Sequence, residues 1–190
     1  MNNDTNWIIV RIDGKIAAIS TDYRHLASIT ARLSREGKVR FGEISAKAAS
    51  FDEVWQLKKT TGWDDLMLFG TDFQTKVWKK LWELTETETR LISYSDFAEL
   101  CQNRAGVRAV AHAIGLNPVS VIIPCHLVIP KEGIDKIREI HDRAQSTIFK
   151  GDDLCVGSIL ADTSIDFGEY ALGKSLKREL IIHEMEENNL

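Results

Sequence analysis

The spacing of apolar residues changes at Gly70, and this change limits the possible folds more than any other feature of the sequence. Before Gly70, residues 7–21 (WIIVRIDGKIAAIST) contain two short β-rich runs around Asp13-Gly14, a pair typical of a type I′ hairpin turn. After Gly70, apolar residues recur at three- and four-residue steps, as on one face of a helix. The sequence therefore predicts strands near its start and helices after them.

The rest of the N-terminal part completes a small α/β unit. Residues 23–37 carry apolar side chains at helical spacing, and Gly37 is the expected end of that helix. A short strand is expected at residues 39–41, whereas residues 45–63 fit neither a helix nor a strand clearly. We therefore predict a small N-terminal α/β domain over residues 1–68.

The first helix of the second part is predicted from the sequence TDFQTKVWKKLWEL, in which Thr71 can cap the N-terminus. Trp78 and Trp82 are expected to pack in the core, as buried aromatic residues usually do. The other apolar residues form one face of the helix. They are Phe73, Val77, Leu81 and Leu84.

Two short helices around a tight turn are predicted in residues 93–117. Ser93 or Ser95 can cap the first helix, QNRAG at residues 102–106 interrupts the pattern, and VRAVAHAIG at residues 107–115 resumes it. This is the outline of a helix-turn-helix, in which the second helix enters a DNA groove. Many helical hairpins share the outline, so it does not by itself predict DNA binding.

The segment NPVSVIIPCHLVIP places the thiol of Cys125 beside the imidazole of His126. Residues 119–123 are expected to be a buried strand or extended segment. A thiol becomes a nucleophile when a base accepts its proton, but neighbouring side chains of an extended segment point to opposite sides. Cooperation therefore requires a turn at Pro124-Cys125 or a bridging water. The alternative is an inert, buried Cys beside a satisfied His.

The end of the sequence predicts two more helices. Residues 134–149 form an amphipathic pattern, and SLKRELIIHEMEE forms the last helix. In this last helix Leu180 faces inward, and Glu184 lies about one turn after it on the same side.

Composition and charge argue against several classes of protein. No apolar run approaches the roughly 18 residues that a membrane span requires, and the N-terminus lacks a secretory signal pattern, so we expect a cytoplasmic protein. The cysteines have no CxxC spacing, which argues against a disulfide framework and a structural zinc site. The net charge of −4 gives no general indication of a nucleic-acid partner.

Several motifs after Gly70 together resemble one protein family. IIPCH is similar to the active-site motif of the O6-alkylguanine-DNA alkyltransferases, in which PCHR follows Asn-Pro and a short apolar stretch. SYSDFAEL, VRAVAHAIGLNP and EYALGKSLKRELIIHE resemble the two helix-turn-helix elements and the closing helix of that family. The resemblance covers nearly all of residues 70–130 and residues 169–184. It implies an α/β (α+β) fold with a mainly helical C-terminal DNA-binding and active-site domain over residues 69–190.

The resemblance implies a reaction and a role for each catalytic residue. An alkyl group would move irreversibly from O6 of guanine in double-stranded DNA to Cys125. His126 would take the thiol proton through a water, and Glu184 would hold and charge-balance the imidazole. Tyr94 would give a proton to N3 of the leaving guanine. No cofactor, metal or protein partner is implied, and we expect a monomer.

The resemblance also implies how the DNA is held. The target base must leave the duplex, and Arg108 would fill the gap as a planar, permanently charged side chain. Ala109 and its small neighbours would permit close approach of the helix to the minor groove. Asn117 would brace the turn before the active-site segment. Val128 would line the pocket and offer its carbonyl to the guanine amine, and Tyr170 would form another wall.

Three features depart from the family pattern. Leu127 replaces the Arg that usually follows Cys-His, and Ala171 cannot supply the hydroxyl that some members have at its position. An insertion at about residues 132–167 lengthens the segment before Tyr170. These departures leave open a second hypothesis, a non-catalytic protein that binds alkylated bases and signals damage to repair factors. A third, an unrelated thiol enzyme, is opposed by the spacing of the other motifs.

Overall fold

The computed structural model describes residues 6–35, 43–87, 90–147 and 156–188. The strands are β1 (Trp7–Ile12), β2 (Lys15–Ser20), β3 (Ile44–Ala49), β4 (Ile92–Ser93) and β5 (Val128–Ile129). The helices are α1 (Tyr23–Arg35), α2 (Phe51–Thr60), α3 (Asp72–Thr87), α4 (Tyr94–Leu100), α5 (Val107–Gly115), α6 (Lys131–Thr147), α7 (Val156–Leu160) and α8 (Lys174–Glu187). In the described ranges, no helix is both long and apolar enough to cross a bilayer.

The N-terminal sheet has the strand order β2-β1-β3, and both strand pairs are antiparallel. Asp13 and Gly14, between β1 and β2, have φ angles of 50° and 81°. A type I′ turn requires positive φ at both central residues, so the hairpin predicted from this pair is confirmed. The mixed α/β (α+β) class is confirmed as well. Gly37 and the strand expected at residues 39–41 lie outside the described residues.

Residues 45–63, whose sequence pattern is ambiguous, contain most of β3 and all of α2. Ser50 and Glu53 cap the start of α2 reciprocally. The Ser50 hydroxyl accepts a hydrogen bond from the Glu53 amide at 3.2 Å, and the Glu53 carboxylate accepts one from the Ser50 amide at 2.8 Å. Phe51 and Trp55 are buried and fix the face of α2 that meets the rest of the protein.

One hydrophobic core joins the N-terminal sheet to the helices that follow it. Ile19 of β2, Trp78 of α3 and Val119 after α5 are all fully buried in this core. The indole nitrogen of Trp78 also donates to the carbonyl of Ala113 at 2.8 Å, which ties α3 to α5. The predicted core position is therefore confirmed for Trp78, whereas Trp82 is only partly buried.

Helices α4 and α5 pack against each other as the two helices of the predicted helix-turn-helix. Ser93, rather than Ser95, caps α4, because its hydroxyl accepts a hydrogen bond from the Asp96 amide at 3.1 Å. Between the helices the chain reverses at Gln102, whose φ is 54°, and continues through a 3-10 turn at Arg104–Gly106. The interruption predicted from QNRAG is thus present.

Part of the insertion packs on the chain directly after the Cys-His pair. Helix α6 covers most of the amphipathic helix predicted at residues 134–149, whose last two residues lie outside the described ranges. Three partly buried isoleucines of α6 pack on a second hydrophobic core, which contains the fully buried Leu127. They are Ile134, Ile137 and Ile140.

Candidate active site

The chain turns at Cys125, so three successive side chains meet three different surroundings. Residues Cys125–Leu127 form a 3-10 turn, in which the Leu127 amide donates to the Pro124 carbonyl at 3.1 Å. Cys125 lines a cavity, His126 contacts α8, and Leu127 enters the second core. The turn that cooperation between Cys125 and His126 requires is therefore present.

Asn117 holds the loop that leads from α5 to the thiol. Its amide nitrogen donates to the Ile123 carbonyl at 2.9 Å and lies 3.0 Å from Sγ of Cys125. Its oxygen accepts a hydrogen bond from the Val119 amide at 3.0 Å. One buried amide group thus fixes both ends of the loop and contacts the sulfur atom directly.

The loop itself is a buried turn, whereas the sequence pattern predicted a strand or extended segment at residues 119–123. The Ile123 amide donates back to the Val119 carbonyl at 3.0 Å, which reverses the chain. Val121 has a φ of 74°, a value that is rare for a β-branched residue. Apolar runs look alike in buried strands and buried turns, which explains the wrong prediction.

His126, the residue after Cys125, forms a buried pair with Glu184. Nε2 of His126 lies 3.0 Å from Oε2 of Glu184, and the exposed fractions of the two side chains are 0% and 2%. Both carboxylate oxygens of Glu184 also contact Nζ of Lys58 from α2. Nδ1 of His126 is buried and meets no hydrogen-bonding partner among the described residues. Buried nitrogens usually have a partner, so Nδ1 is the atom at which a bridging water would bind.

Burial and charge set the protonation states of this pair. Burial lowers the pKa of His126, and the hydrogen bond and charge of Glu184 partly offset that effect. Burial would raise the pKa of Glu184, but His126 and Lys58 outweigh it and lower this pKa to about 2. At neutral pH the carboxylate is therefore charged and the imidazole is neutral, so the imidazole can accept a proton.

The thiol is protonated in the resting site. Burial raises the pKa of Cys125. The hydrogen bonds of Asn117 and Tyr170 and the charge of Lys177 lower this pKa, but by less. The Tyr170 hydroxyl lies 3.9 Å from Sγ. Lys177 is itself buried, and burial lowers its pKa to about 8. A buried, protonated thiol requires a base before it can act as a nucleophile.

Cys125 forms part of the wall of a cavity of about 420 Å³. This volume falls within the roughly 300–1,000 Å³ that is typical of small-molecule sites. Two half-buried tyrosines, Tyr94 and Tyr170, line it together with small side chains, a combination that suits a planar and largely apolar ligand. The complete lining is Tyr94, Ala111, Ile114, Gly115, Asn117, Ser120, Cys125, Glu169, Tyr170 and Ala171.

Tyr94 reaches the cavity because β4 and β5 pair in parallel. Ile92 lies opposite Val128 in this pair, which sets the start of α4 beside the turn at Cys125. Burial raises the pKa of Tyr94, and the negative charge of a Cys125 thiolate raises it further. The phenol therefore keeps its proton at neutral pH and is able to donate it.

Arg108 and Ala109 lie at exposed positions of α5. Further along this helix, Ala111 and Gly115 line the cavity. Arg108 precedes Ala111 by three positions and Gly115 by seven, so it lies on the same side of the helix. The structure thus brings Arg108 to the outer surface that borders the cavity.

Val128, which the resemblance places in the pocket, is not among the residues that line the cavity. It is buried in β5, and its carbonyl accepts a hydrogen bond from Nζ of Lys177 at 2.8 Å. Lys177 and Lys58 are the charged groups that the sequence reasoning missed. Lys177 precedes Glu184 by seven positions, a helical spacing that could have revealed it. No local signal marks Lys58, which is 126 residues from its partner.

The sequence and the structure were compared with known proteins. Residues 72–148 match the model of a family described as 6-O-methylguanine DNA methyltransferase, DNA binding domain. A probable methylated-DNA--protein-cysteine methyltransferase of Acanthamoeba polyphaga mimivirus is 52% identical over 67 residues, which are 35% of this chain and 44% of the relative. An inducible methylated-DNA--protein-cysteine methyltransferase of Bacillus subtilis (strain 168) is 50% identical over 64 residues, 34% of this chain and 35% of the relative. The matches thus span less than half the length of these relatives.

One solved structure resembles the chain over nearly its whole length. It is an O6-methylguanine-DNA methyltransferase from the hyperthermophilic archaeon Pyrococcus kodakaraensis strain KOD1, with a TM-score of 0.55 and 18% sequence identity. The comparison covers 94% of this chain and 91% of the other. At this level of identity the likeness shows that the two proteins share a fold.

Proposed function

We propose that this chain, which carries the DNA-binding domain of the 6-O-methylguanine DNA methyltransferases at residues 72–148, repairs alkylated DNA by single-turnover alkyl transfer to Cys125. The resemblance predicted from the motifs is confirmed over those residues. The observation that carries the proposal is the position of Cys125. Cys125 lines a cavity, and His126, the next residue, belongs to a buried imidazole–carboxylate pair.

The first chemical step is loss of the thiol proton. A water bound at Nδ1 of His126 would pass the proton from Cys125 to the imidazole, and Glu184 would stabilise the imidazolium that results. The amide of Asn117, 3.0 Å from Sγ, favours the thiolate over the thiol. A thiolate is the soft nucleophile that attack on an alkyl carbon requires.

The second step is displacement of guanine. The S–C bond forms while the C–O6 bond breaks, and the electron pair of the broken bond leaves with the base. Tyr94 would neutralise the resulting charge by donating its proton to N3, which is consistent with its position in the cavity wall and its raised pKa. Because the S–C bond of the product is stable, each protein molecule acts once.

The substrate base must first leave the duplex, at a cost of a few kcal/mol of unstacking. The exposed Arg108 of α5 would fill the gap, and the small side chain of Ala109 beside it would let the helix approach the groove. Tyr170 and Asn117 would hold the base in the cavity. The monomeric state, the absence of a protein partner and the cytoplasmic location expected from the sequence stay predictions.

The alternative, a non-catalytic protein that binds alkylated bases, predicts a cavity without an activated thiol. The buried pair of His126 and Glu184 favours the transferase, because a protein that only binds needs no base beside its cysteine.

The experiment is a titration of repair. The protein is incubated with a duplex that contains a single O6-methylguanine, and the remaining modified base is measured after digestion to nucleosides. We expect the loss to stop at one base per protein molecule, and Cys125→Ser to abolish it. Cys101→Ser is the matched control, since Cys101 is half-buried away from the cavity and burial raises its pKa to about 11. Tight binding of the duplex with no loss of the modified base would instead support the binding protein.

A further inference from the structure

Helix α2 of the N-terminal part docks on α8, the helix that carries Glu184. The indole nitrogen of Trp55 donates to Oε2 of Glu187 at 2.7 Å, and Nζ of Lys59 lies 2.9 Å from Oε1 of the same carboxylate. The ring of His183 packs edge-on against Phe51 and Trp55, with centroid distances of 5.0 Å and 4.5 Å. The face of α2 next to α8 is therefore set by several independent contacts.

Lys58 lies at the buried end of this interface. The exposed fractions of the Lys58 and Glu184 side chains are 10% and 2%, and Nζ of Lys58 contacts both carboxylate oxygens. One of these oxygens, Oε2, also accepts the hydrogen bond of His126. A buried carboxylate with two such partners has little freedom to rotate, and the loss of Lys58 would leave its charge without compensation.

We infer that Lys58 is a positioning residue for alkyl transfer, which fixes Glu184 in the orientation in which it meets His126. The inference rests on the proposed function and extends it outside the segment that matches the family, residues 72–148. It means that the N-terminal part of the chain completes the proton relay of the C-terminal part.

The charged groups around the relay determine the sign of the expected effect. Lys58 from α2 and Lys177 from α8 act on His126 together with Glu184, while Lys59, Glu187 and His183 meet at the neighbouring contact between α2 and α8. Adding a proton to the couple of Cys125 and His126 raises its charge by one, whichever atom carries the proton. The cation of Lys58 opposes this addition and lowers the pKa of His126. The hydrogen bond and charge of Glu184 raise the pKa of His126 by more than Lys58 lowers it. Without Lys58 to orient Glu184, the couple should therefore lose its proton at a lower pH.

The test compares Lys58→Met with Lys59→Met. Lys59 is the matched control, because it is the next residue of the same helix and also pairs with a carboxylate, but its side chain is 49% exposed. Single-turnover methyl transfer is measured from pH 5 to 9. We expect the low-pH limb of the rate profile to move down by about one pH unit in Lys58→Met, as the loss of the Glu184 contact with His126 predicts. The low-pH limb should match that of wild type in Lys59→Met. In Lys58→Arg, which keeps the charge, it should lie close to that of wild type.

A second readout separates this inference from the proposed function. Alkylation of Cys125 by iodoacetamide, followed on the Cys125 peptide by mass spectrometry, reports the same proton affinity without DNA. If wild-type protein transfers no methyl group, the proposed function fails. The pH dependence of iodoacetamide alkylation still tests whether Lys58 positions Glu184. Equal profiles for wild type and Lys58→Met, an upward shift of the limb in Lys58→Met, or equal shifts in both Met variants would overturn the inference. Far-UV circular dichroism verifies that each variant is folded.

Discussion

Leu127, in the position where the family motif has Arg, gives a prediction whose size follows from the structure. Its side chain is fully buried in the second core, among residues of β5, α8 and the insertion. Its buried hydrophobic neighbours in this core are Ile129, Leu160, Ile165, Phe167, Ile181 and Met185. An arginine at position 127 would thus find no carboxylate among the side chains of this core.

Restoring the family residue should therefore destabilise this protein. Leu127→Ala removes a fully buried leucine, which costs about 2–5 kcal/mol. Leu127→Arg loses the same apolar burial and adds a charge without a partner, for which the effective penalty is several kcal/mol more. The sum approaches the roughly 5–15 kcal/mol by which a typical domain is stable. Leu127→Met, which conserves volume, should cost less than about 1.5 kcal/mol.

Urea unfolding followed by circular dichroism measures these differences. The expected order of stability is wild type, Leu127→Met, Leu127→Ala and Leu127→Arg, with a similar dependence on urea for the variants that fold. A Leu127→Arg protein as stable as wild type would refute the reasoning, because it would mean that the guanidinium reaches solvent or a carboxylate. The insertion would then not seal this side of the active-site turn.

Three further predictions concern the site. Arg108→Ala should slow repair in a duplex far more than dealkylation of the free base, whereas Arg138→Ala on α6 should change neither rate; equal slowing of both reactions by Arg108→Ala would contradict the role in base flipping. Tyr94→Phe should slow methyl transfer by about 100-fold at unchanged DNA affinity, as loss of a general acid does; an unchanged single-turnover rate would exclude that role. Because the pKa of Glu184 is lowered to about 2, its contribution to stability, about 3 kcal/mol, should be complete above pH 4.5 and be lost as pH falls toward 2. The contribution is measured by comparing the thermal unfolding of wild type and Glu184→Gln as a function of pH. A difference in stability that does not change with pH would show that the contribution is absent.

The local features of the site could be predicted from the sequence. The caps at Thr71 and Ser93 and the hairpin at Asp13-Gly14 depend on residues that are close along the chain. The side of the last helix on which Glu184 lies follows from helical spacing alone. The need for a turn at Cys125 also followed from geometry, since an extended chain would separate the thiol from the imidazole.

Other features depend on contacts between distant parts of the chain. The partner of Glu184 on α2, Lys58, lies 126 residues away and on a helix whose own pattern is ambiguous. The buried environment of Leu127 includes side chains of the predicted insertion at residues 132–167, which the family motif does not contain. The turn at residues 119–123 has the same apolar composition as a buried strand, so only the tertiary hydrogen bonds of Asn117 distinguish the two.

The mass of the protein after incubation with alkylated DNA shows whether Cys125 accepts the alkyl group. Wild-type protein is incubated with a duplex containing O6-methylguanine, and its intact mass and proteolytic peptides are then measured. We expect a gain of one methyl group per chain, located on the peptide that contains Cys125 and absent from Cys125→Ser. An unchanged mass, or a methyl group on any other residue, would contradict alkyl transfer to Cys125.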